Sequence, residues 1–381
     1  MYCHLFWDFH LKYRFFMHKF NIEKQIRKLY GITAIGYFQI AGSSWVALLA
    51  ARGFSLLEIG ILESIFHVVS MCFEIPSGAV ADVFGRKKTL IISWIVSFMS
   101  DILMIFSKSF WSVALAIGFS ALSYNLSSGT REALAYDSLK YAGQEDAYNR
   151  FASTEMVLYR LSKSTATLCA GLALLLGYQR AYAIDIMFCA GALLAAIGLT
   201  EVSFHRQKEE KKEPVAKRFK MVFGESWSFL IKNKKARMIM IVNSLVGSVA
   251  TLVLFFLQAK LPMADLPSSL LGPALFVMEL GAALGAKMVS CFPRSRYGHL
   301  LGISMVGVGC AFALTFSGKA WLMIAGGFIG AFADDFLEVR TGVILNEMIP
   351  SEQRATLVSV RSFLFSVVMI VMSTFMGYVF S

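Results

Sequence analysis

Between Lys28 and Arg52 the chain carries no charged residue, and apolar stretches of similar length recur to its end. About 20 such residues are what an α-helix needs to cross the hydrocarbon of a bilayer. In that medium every backbone polar group must be satisfied internally, so continuous apolar runs of this length predict membrane helices. Spans are expected at about residues 29–52, 57–81, 89–106, 110–139, 151–178, 181–200, 238–258, 268–292, 298–317, 321–349 and 356–381, eleven in all. The balance of 57% hydrophobic against 16% charged residues, with a mean hydropathy of +0.62, excludes a pair of ordinary soluble domains.

A net charge of +11 would suggest a nucleic-acid partner in a soluble chain. Here the cations gather at span ends and in alternate turns, where anionic lipid attracts them, so membrane lipid is the expected partner and nucleic acid is not. Arg86-Lys87-Lys88, the segment 201–237 and the Arg294–Arg296 turn are rich in cations, whereas the opposite turns hold Arg52, Lys108, Arg180, Lys260 and Lys319, one apiece. That asymmetry places the amino terminus in the cytoplasm of a multi-pass cell-membrane protein. Residues 1–28 read as a basic, aromatic tail without the unbroken apolar core of a secretory signal. Residues 29–200 and 238–381 form two membrane bundles. Between them 201–237 is a basic linker in which Phe219, Val222, Phe223, Trp227 and Leu230 recur at helical spacing, as in a helix lying on the membrane face. The six cysteines show no paired spacing and are expected to pack as small apolar residues.

The turn after the second span reads Gly78-Ala-Val-Ala-Asp82-Val-Phe-Gly85-Arg86-Lys87-Lys88. Its order of glycine, aspartate, glycine and cations resembles the signature loop between helices 2 and 3 of the major facilitator superfamily of secondary transporters. The resemblance implies an all-α fold of two pseudo-symmetric six-helix bundles, with the last helix apparently missing here. It also implies a gate: Gly78 lets helix 2 approach helix 11, Asp82 sits at the amino end of helix 11, and Arg86, beside Lys87, pairs with Asp137 at the inner end of helix 4. These contacts would latch the outward-open state; a purely structural turn is the other reading. The resemblance to drug–proton antiporters is partial, since Leu115–Asn125 has no arginine and Leu158–Leu176 has Gly171 without proline.

The two halves also resemble each other. Gly118-Phe119 precedes Arg131 by the interval at which Gly327-Phe328 precedes Arg340, and Asp137 falls in register with Asn346. Internal repeats of this kind frame a midplane binding site between the bundles.

An ionisable residue within a span costs roughly 2.5–3.5 kcal/mol on insertion scales, so it normally faces protein or water. At about 100° per residue, Glu63, His67, Ser70 and Glu74 fall on one stripe of the second span. Glu63 and Glu74 either serve the cavity or snorkel and cap neighbouring helices, and His67 is either a proton carrier or a packing residue. Glu279, Asp334, Asp335 and Glu338 are candidates for substrate or proton binding, with Asp334 and Glu338 four residues apart on one face. Arg131, Glu132, Glu155 and Arg340 read as a structural charge network. Asp101 is isolated and is expected near the outer interface or hydrogen-bonded to a neighbour.

The expected function is alternating-access transport of a small organic solute by a monomer, with no cofactor and the proton gradient as energy source. No Gly-x-x-x-x-Gly-Lys-Ser/Thr loop supports ATP as the driver, and no metal or nucleophile constellation supports an enzyme. Tyr37, Trp45, Tyr124 and Phe336 beside acids suit efflux of a cationic, drug-like compound. Proton-coupled uptake of a sugar or amino acid, and a non-transporting receptor or assembly protein on the same scaffold, are the alternatives.

Overall fold

The computed structural model describes residues 20–202, 224, 231, 233–292, 296–348 and 354–381. Most of the expected tail and the amphipathic helix of the linker lie outside the described residues. Fifteen α-helices follow in order, with no strand among the described residues: α1 Ile22–Gly36, α2 Ile40–Ser43, α3 Trp45–Ala51, α4 Leu56–Phe84, α5 Arg86–Phe106, α6 Phe110–Ser127, α7 Thr130–Tyr141, α8 Tyr148–Leu168, α9 Ala170–Leu176, α10 Tyr178–Ile197, α11 Lys234–Met263, α12 Ser268–Met288, α13 Tyr297–Leu314, α14 Ala320–Met348 and α15 Arg354–Phe380. Nine segments among these residues are long and apolar enough to cross a membrane, those within α4, α5, α6–α7, α10, α11, α12, α13, α14 and α15.

Three of the expected spans are jointed rather than continuous. The first breaks into α1, α2 and α3 at Tyr37–Gln39, where the buried carboxylate of Asp185 on α10 accepts the Ile40 N–H at 2.7 Å and the Gly42 N–H at 2.9 Å. These amides have no helical acceptor at the break, and a carboxylate is a strong substitute. The fourth breaks at Gly129, whose φ of 72° is the left-handed conformation that a glycine adopts without a Cβ clash. The fifth breaks at Cys169, between α8 and α9. Sequence hydropathy does not register such joints, because they replace backbone hydrogen bonds without adding charge.

The helices before residue 202 and those after residue 233 meet at one end of the molecule, called here the Gly53 end. A single apolar cluster there takes Leu48, Leu49 and Leu62 from the first half with Leu252, Phe256, Met376 and Phe380 from the second. At the opposite, Gly85 end the clusters are private to each half. Leu29, Ile32, Leu134 and Phe151 pack within the first, and Ala236, Met240, Leu345 and Val360 within the second.

Candidate functional site

Glycine sets how closely the halves approach at the Gly53 end. A Cβ on Gly60 of α4 would strike the backbone of Ser373 on α15, and one on Gly377 would strike Leu56 and Leu57. On the other flank a Cβ on Gly171 of α9 would strike Ser268, and one on Gly272 of α12 would strike Leu168. Such backbone contact between small residues is how helices associate closely in a bilayer. Ser64 reinforces the first seam, donating to the Ile370 carbonyl at 2.7 Å and lying 2.7 Å from the Ser373 hydroxyl.

Farther along α4 the surroundings reverse. Gly78 is exposed, with no atom of the described residues within 4 Å of the place its Cβ would occupy. Among the described residues the close approach to the eleventh span expected from the motif is not made in this conformation. Asp82 lies near the end of α4, and its side chain is outside the described residues. Arg86 forms an ion pair with Asp137 and also donates to the Ala133 carbonyl, both on α7. Gly85 has a φ of 91°, so the chain reverses and α5 begins at once. The exposed amides of that first turn are capped by Glu201, which accepts from Arg86 N at 3.0 Å and Lys87 N at 2.8 Å. The sequence reading does not single out Glu201. Its signal is present, an acid directly at the end of a span, but its partner lies far away in the chain.

Each half holds a pocket whose apolar lining is punctuated by polar groups. The first-half pocket, about 180 Å³, is lined by Tyr37, Gln39, Phe66, Trp94, Tyr124 and a group of serines that includes Ser93, Ser97 and Ser123. The second-half pocket, about 400 Å³, is lined by Asn243, Ser244, Gly247, Thr251, Asp334, Glu338, Arg361, Ser362 and Phe365. Here Glu338 pairs with Arg361 of α15 and accepts from Asn243 Nδ2 at 2.7 Å, while Thr341 donates to Asn243 Oδ1 at 2.8 Å. The cation paired with Glu338 is Arg361, from the following helix. Asp334 rests against Gly247 of α11, where a Cβ would come within 3.2 Å of its Oδ1.

The remaining candidates divide among three places. Asp335 and Glu279 share Arg160 of α8 as a cationic neighbour, and Glu279 also feels Lys163 and accepts from Ser164 at 3.4 Å. The polar stripe expected on α4 splits. Glu63 and His67 pair at 3.4 Å, with the His67 ring 6.2 Å from that of Phe365 on α15. Ser70 instead turns to α6, donating to Asn125 at 3.0 Å, and Glu74 is exposed. Arg131 is buried between Glu155 and Glu132, with the Tyr37 hydroxyl 3.0 Å away, and Thr33 donates to Glu155 at 3.1 Å. Arg340 lies on α14, in the other half.

Of the aromatic residues assigned to the cavity, Tyr37 and Tyr124 line the first pocket. Trp45 instead packs edge-on against Phe255 in the apolar cluster between the halves. Phe336 is buried against Val289, Leu300 and the stacked ring of Phe332. Hydropathy does not separate these four, since each sits in an apolar run. Cys72, Cys291 and Cys310 are exposed rather than packed.

The family profile of the Major Facilitator Superfamily matches residues 29–296. This chain belongs to that superfamily. It is a multi-pass membrane protein of a transporter family, not an enzyme. Over 88 residues it is 31% identical to the uncharacterized MFS-type transporter YxaM of Bacillus subtilis (strain 168), a match that spans 23% of this chain and 22% of that protein. The fold is similar to that of the nucleoside transporter NupG, with a TM-score of 0.71 at 19% identity over 94% of this chain and 91% of the other. A bacterial homolog of the human lysosomal transporter Spinster, in an inward-facing and unoccupied conformation, gives 0.72 at 15% identity over 93% and 82%. A D-xylose-proton symporter gives 0.64 at 11% identity over 93% and 89%.

Proposed function

We propose that this protein is a monomeric, proton-coupled carrier in the cell membrane that moves a small, polar organic solute by alternating access. The observation that carries the reading is the second-half pocket, where Asp334 and Glu338 meet Asn243 and Arg361, while the first half has a serine-bearing pocket of its own. Carboxyl groups that face water in one state and protein in the other can carry a proton through the cycle. Asp334, Asp335, Glu279 and Glu338 are the candidates, with His67 and Glu74 along the wall of α4.

On this reading the jointed segments at 22–51 and 148–176 also cross the bilayer, making eleven spans in two bundles, 29–200 and 238–381. The basic tail 1–28 and the linker 201–237 lie on the cytoplasmic side, where the cation-rich turns belong. The Gly85 end is then cytoplasmic and the cavity faces inward. Gly78, Asp82, Gly85, Arg86, Lys87 and Asp137 act as the gate, engaging α15 when the cytoplasmic end closes. Arg131, Glu132 and Glu155 hold the first half together as it tilts, and Arg340 has a structural role in the second.

Two of the structural relatives are named for nucleosides and for D-xylose, both polar and hydroxylated, which agrees with the serine- and amide-rich lining. Efflux of a cationic, drug-like compound is the second reading, favoured by Tyr37, Trp94 and Tyr124 beside an acidic second half. A thermal-shift screen of the purified protein against nucleosides, sugars, amino acids and cationic drugs separates the two. A polar solute is expected to raise the melting temperature, and its uptake into proteoliposomes is expected to follow an imposed proton gradient. Uptake indifferent to the gradient removes the coupling, and stabilisation by cationic drugs alone reverses the choice of solute.

A further inference from the structure

The proposed transport cycle uses the acids of the second half, yet two other acids lie buried in the first. Asp101 of α5 is 8% exposed and Asp185 of α10 is 1% exposed, and each lies within electrostatic reach of the other. Their surroundings differ. Asp185 is fully engaged by the amides of Ile40 and Gly42 at the break after α1. Asp101 has a buried oxygen, Oδ2, without any hydrogen-bond partner.

We propose that Asp101 is a proton-binding site, separate from the acids of the second-half pocket, whose occupancy sets the shape of the break in the first span. A buried carboxylate oxygen with no donor is costly, and a second carboxylate beside it adds repulsion. A proton on Asp101 removes the repulsion and the cost of burying a charge, and leaves Asp185 as the sole anion, held by backbone amides. When the proton leaves, the two carboxylates repel. The weaker restraint on Asp185 is its pair of hydrogen bonds to α2, so the break at Tyr37–Gln39 is what yields.

That break lines the first-half pocket through Tyr37 and Gln39. A second path leads to the same pocket, because the Cys189 thiol, one turn from Asp185, donates to the carbonyl of Trp94 at 3.4 Å. Trp94 in turn packs on Gly36, the last residue of α1. The site thus reads protons on one side and reshapes the solute pocket on the other.

No described cation neutralises the pair directly. From α10 it is faced by Tyr182 and Cys189. Arg52 reaches Tyr182 electrostatically, but its guanidinium lies over the Tyr178 ring at 4.1 Å and donates to the Ser107 carbonyl at 2.6 Å. On α5 itself Ser100 is spent on the Ala116 carbonyl of α6, at 2.8 Å. Neither α6, α2 nor α3 contains a charged residue.

The test needs no solute, so it stands or falls apart from the choice of substrate. Infrared difference spectra of the purified protein across a pH titration are expected to contain a protonated-carboxyl band that Asp101→Asn removes. Hydrogen exchange of the Ile40–Ser44 amides, normalised for the intrinsic effect of pH, is expected to rise several-fold as that band disappears. In Asp101→Asn, which keeps the shape and cannot release a proton, exchange stays slow throughout. Asp185→Asn is expected to exchange fast at every pH. The proposal is overturned if the band survives Asp101→Asn or if exchange at 40–44 ignores the titration in the wild type. It is also overturned if sodium at constant pH abolishes the band, which marks a metal-cation site instead. Asp101→Asn that fails to elute as a monodisperse peak is replaced by Asp101→Ser, for which the same loss of the band is required.

Discussion

The two ends of α4 present the same residue type to opposite surroundings. Gly60 lies against the backbone of α15, whereas Gly78, five turns along the same helix, meets open space among the described residues. The pattern repeats on the other flank, where Gly171 and Gly272 lock α9 to α12 at the Gly53 end. The ion pairs of His67, Arg86, Arg131 and Arg361 each lie within one half, whereas Arg160 of α8 is the cationic neighbour of Asp335 and Glu279 in the other. The comparison teaches where the molecule is free to move. One end is held by backbone-to-backbone contact between halves, the other by charges that hold each half to itself.

Bulk at the two glycines should therefore act differently. Gly272→Leu places a side chain into the backbone of α8 and is expected to give the largest effect, a loss of transport with destabilisation of up to about 3 kcal/mol, read as a lower melting temperature. Gly78→Leu meets open space in this state, so its melting temperature is expected to stay within experimental error while transport falls at least tenfold. If both variants melt alike, the contrast between the two ends is lost.

The charges at the Gly85 end sharpen the same point. Arg86→Ala leaves Asp137 buried and unpaired and is expected to cost about 2–3 kcal/mol, with partial rescue by Asp137→Asn in a double-mutant cycle. Glu201→Gln retains an acceptor for the first turn of α5 but loses its charge, so about 0.5–1 kcal/mol is expected from chemical denaturation. A change of the same small size, about 0.5–1 kcal/mol, is expected from Ser70→Ala, which removes one of two hydrogen bonds to Asn125. A larger loss there would mean that Ser70 faces the solute rather than α6.

The membrane class and most of the long apolar helices were legible because hydropathy is local. The turn at Gly85 was legible for the same reason, its glycines, aspartate and cations standing within a few residues of one another. What hydropathy missed depends on partners distant in the chain. Glu201 caps a helix more than a hundred residues away, and Asp185 holds a break that looks from the sequence like unbroken apolar helix. Asp101 stood out as an isolated acid, but its burial and its unpartnered oxygen are tertiary facts. On α4 helical spacing brings Glu63 and His67 together, whereas Ser70, on the same stripe, is claimed by Asn125 of a neighbouring helix. Similarly, Asp334 and Glu338 were readable as neighbours on one helix face, while Arg361, on the following helix, was needed to complete that pocket.

The central claim is that the two ends open and close in opposition. It is tested most directly by pulsed spin-label distances for two pairs in reconstituted protein, Met156 with Met288 at the Gly85 end and Leu175 with Leu270 at the Gly53 end, all four exposed. Across a pH titration, or on adding a solute that stabilises the protein, the first distance is expected to shorten as the second lengthens. Two distances that stay fixed, or that shorten together, would contradict the account.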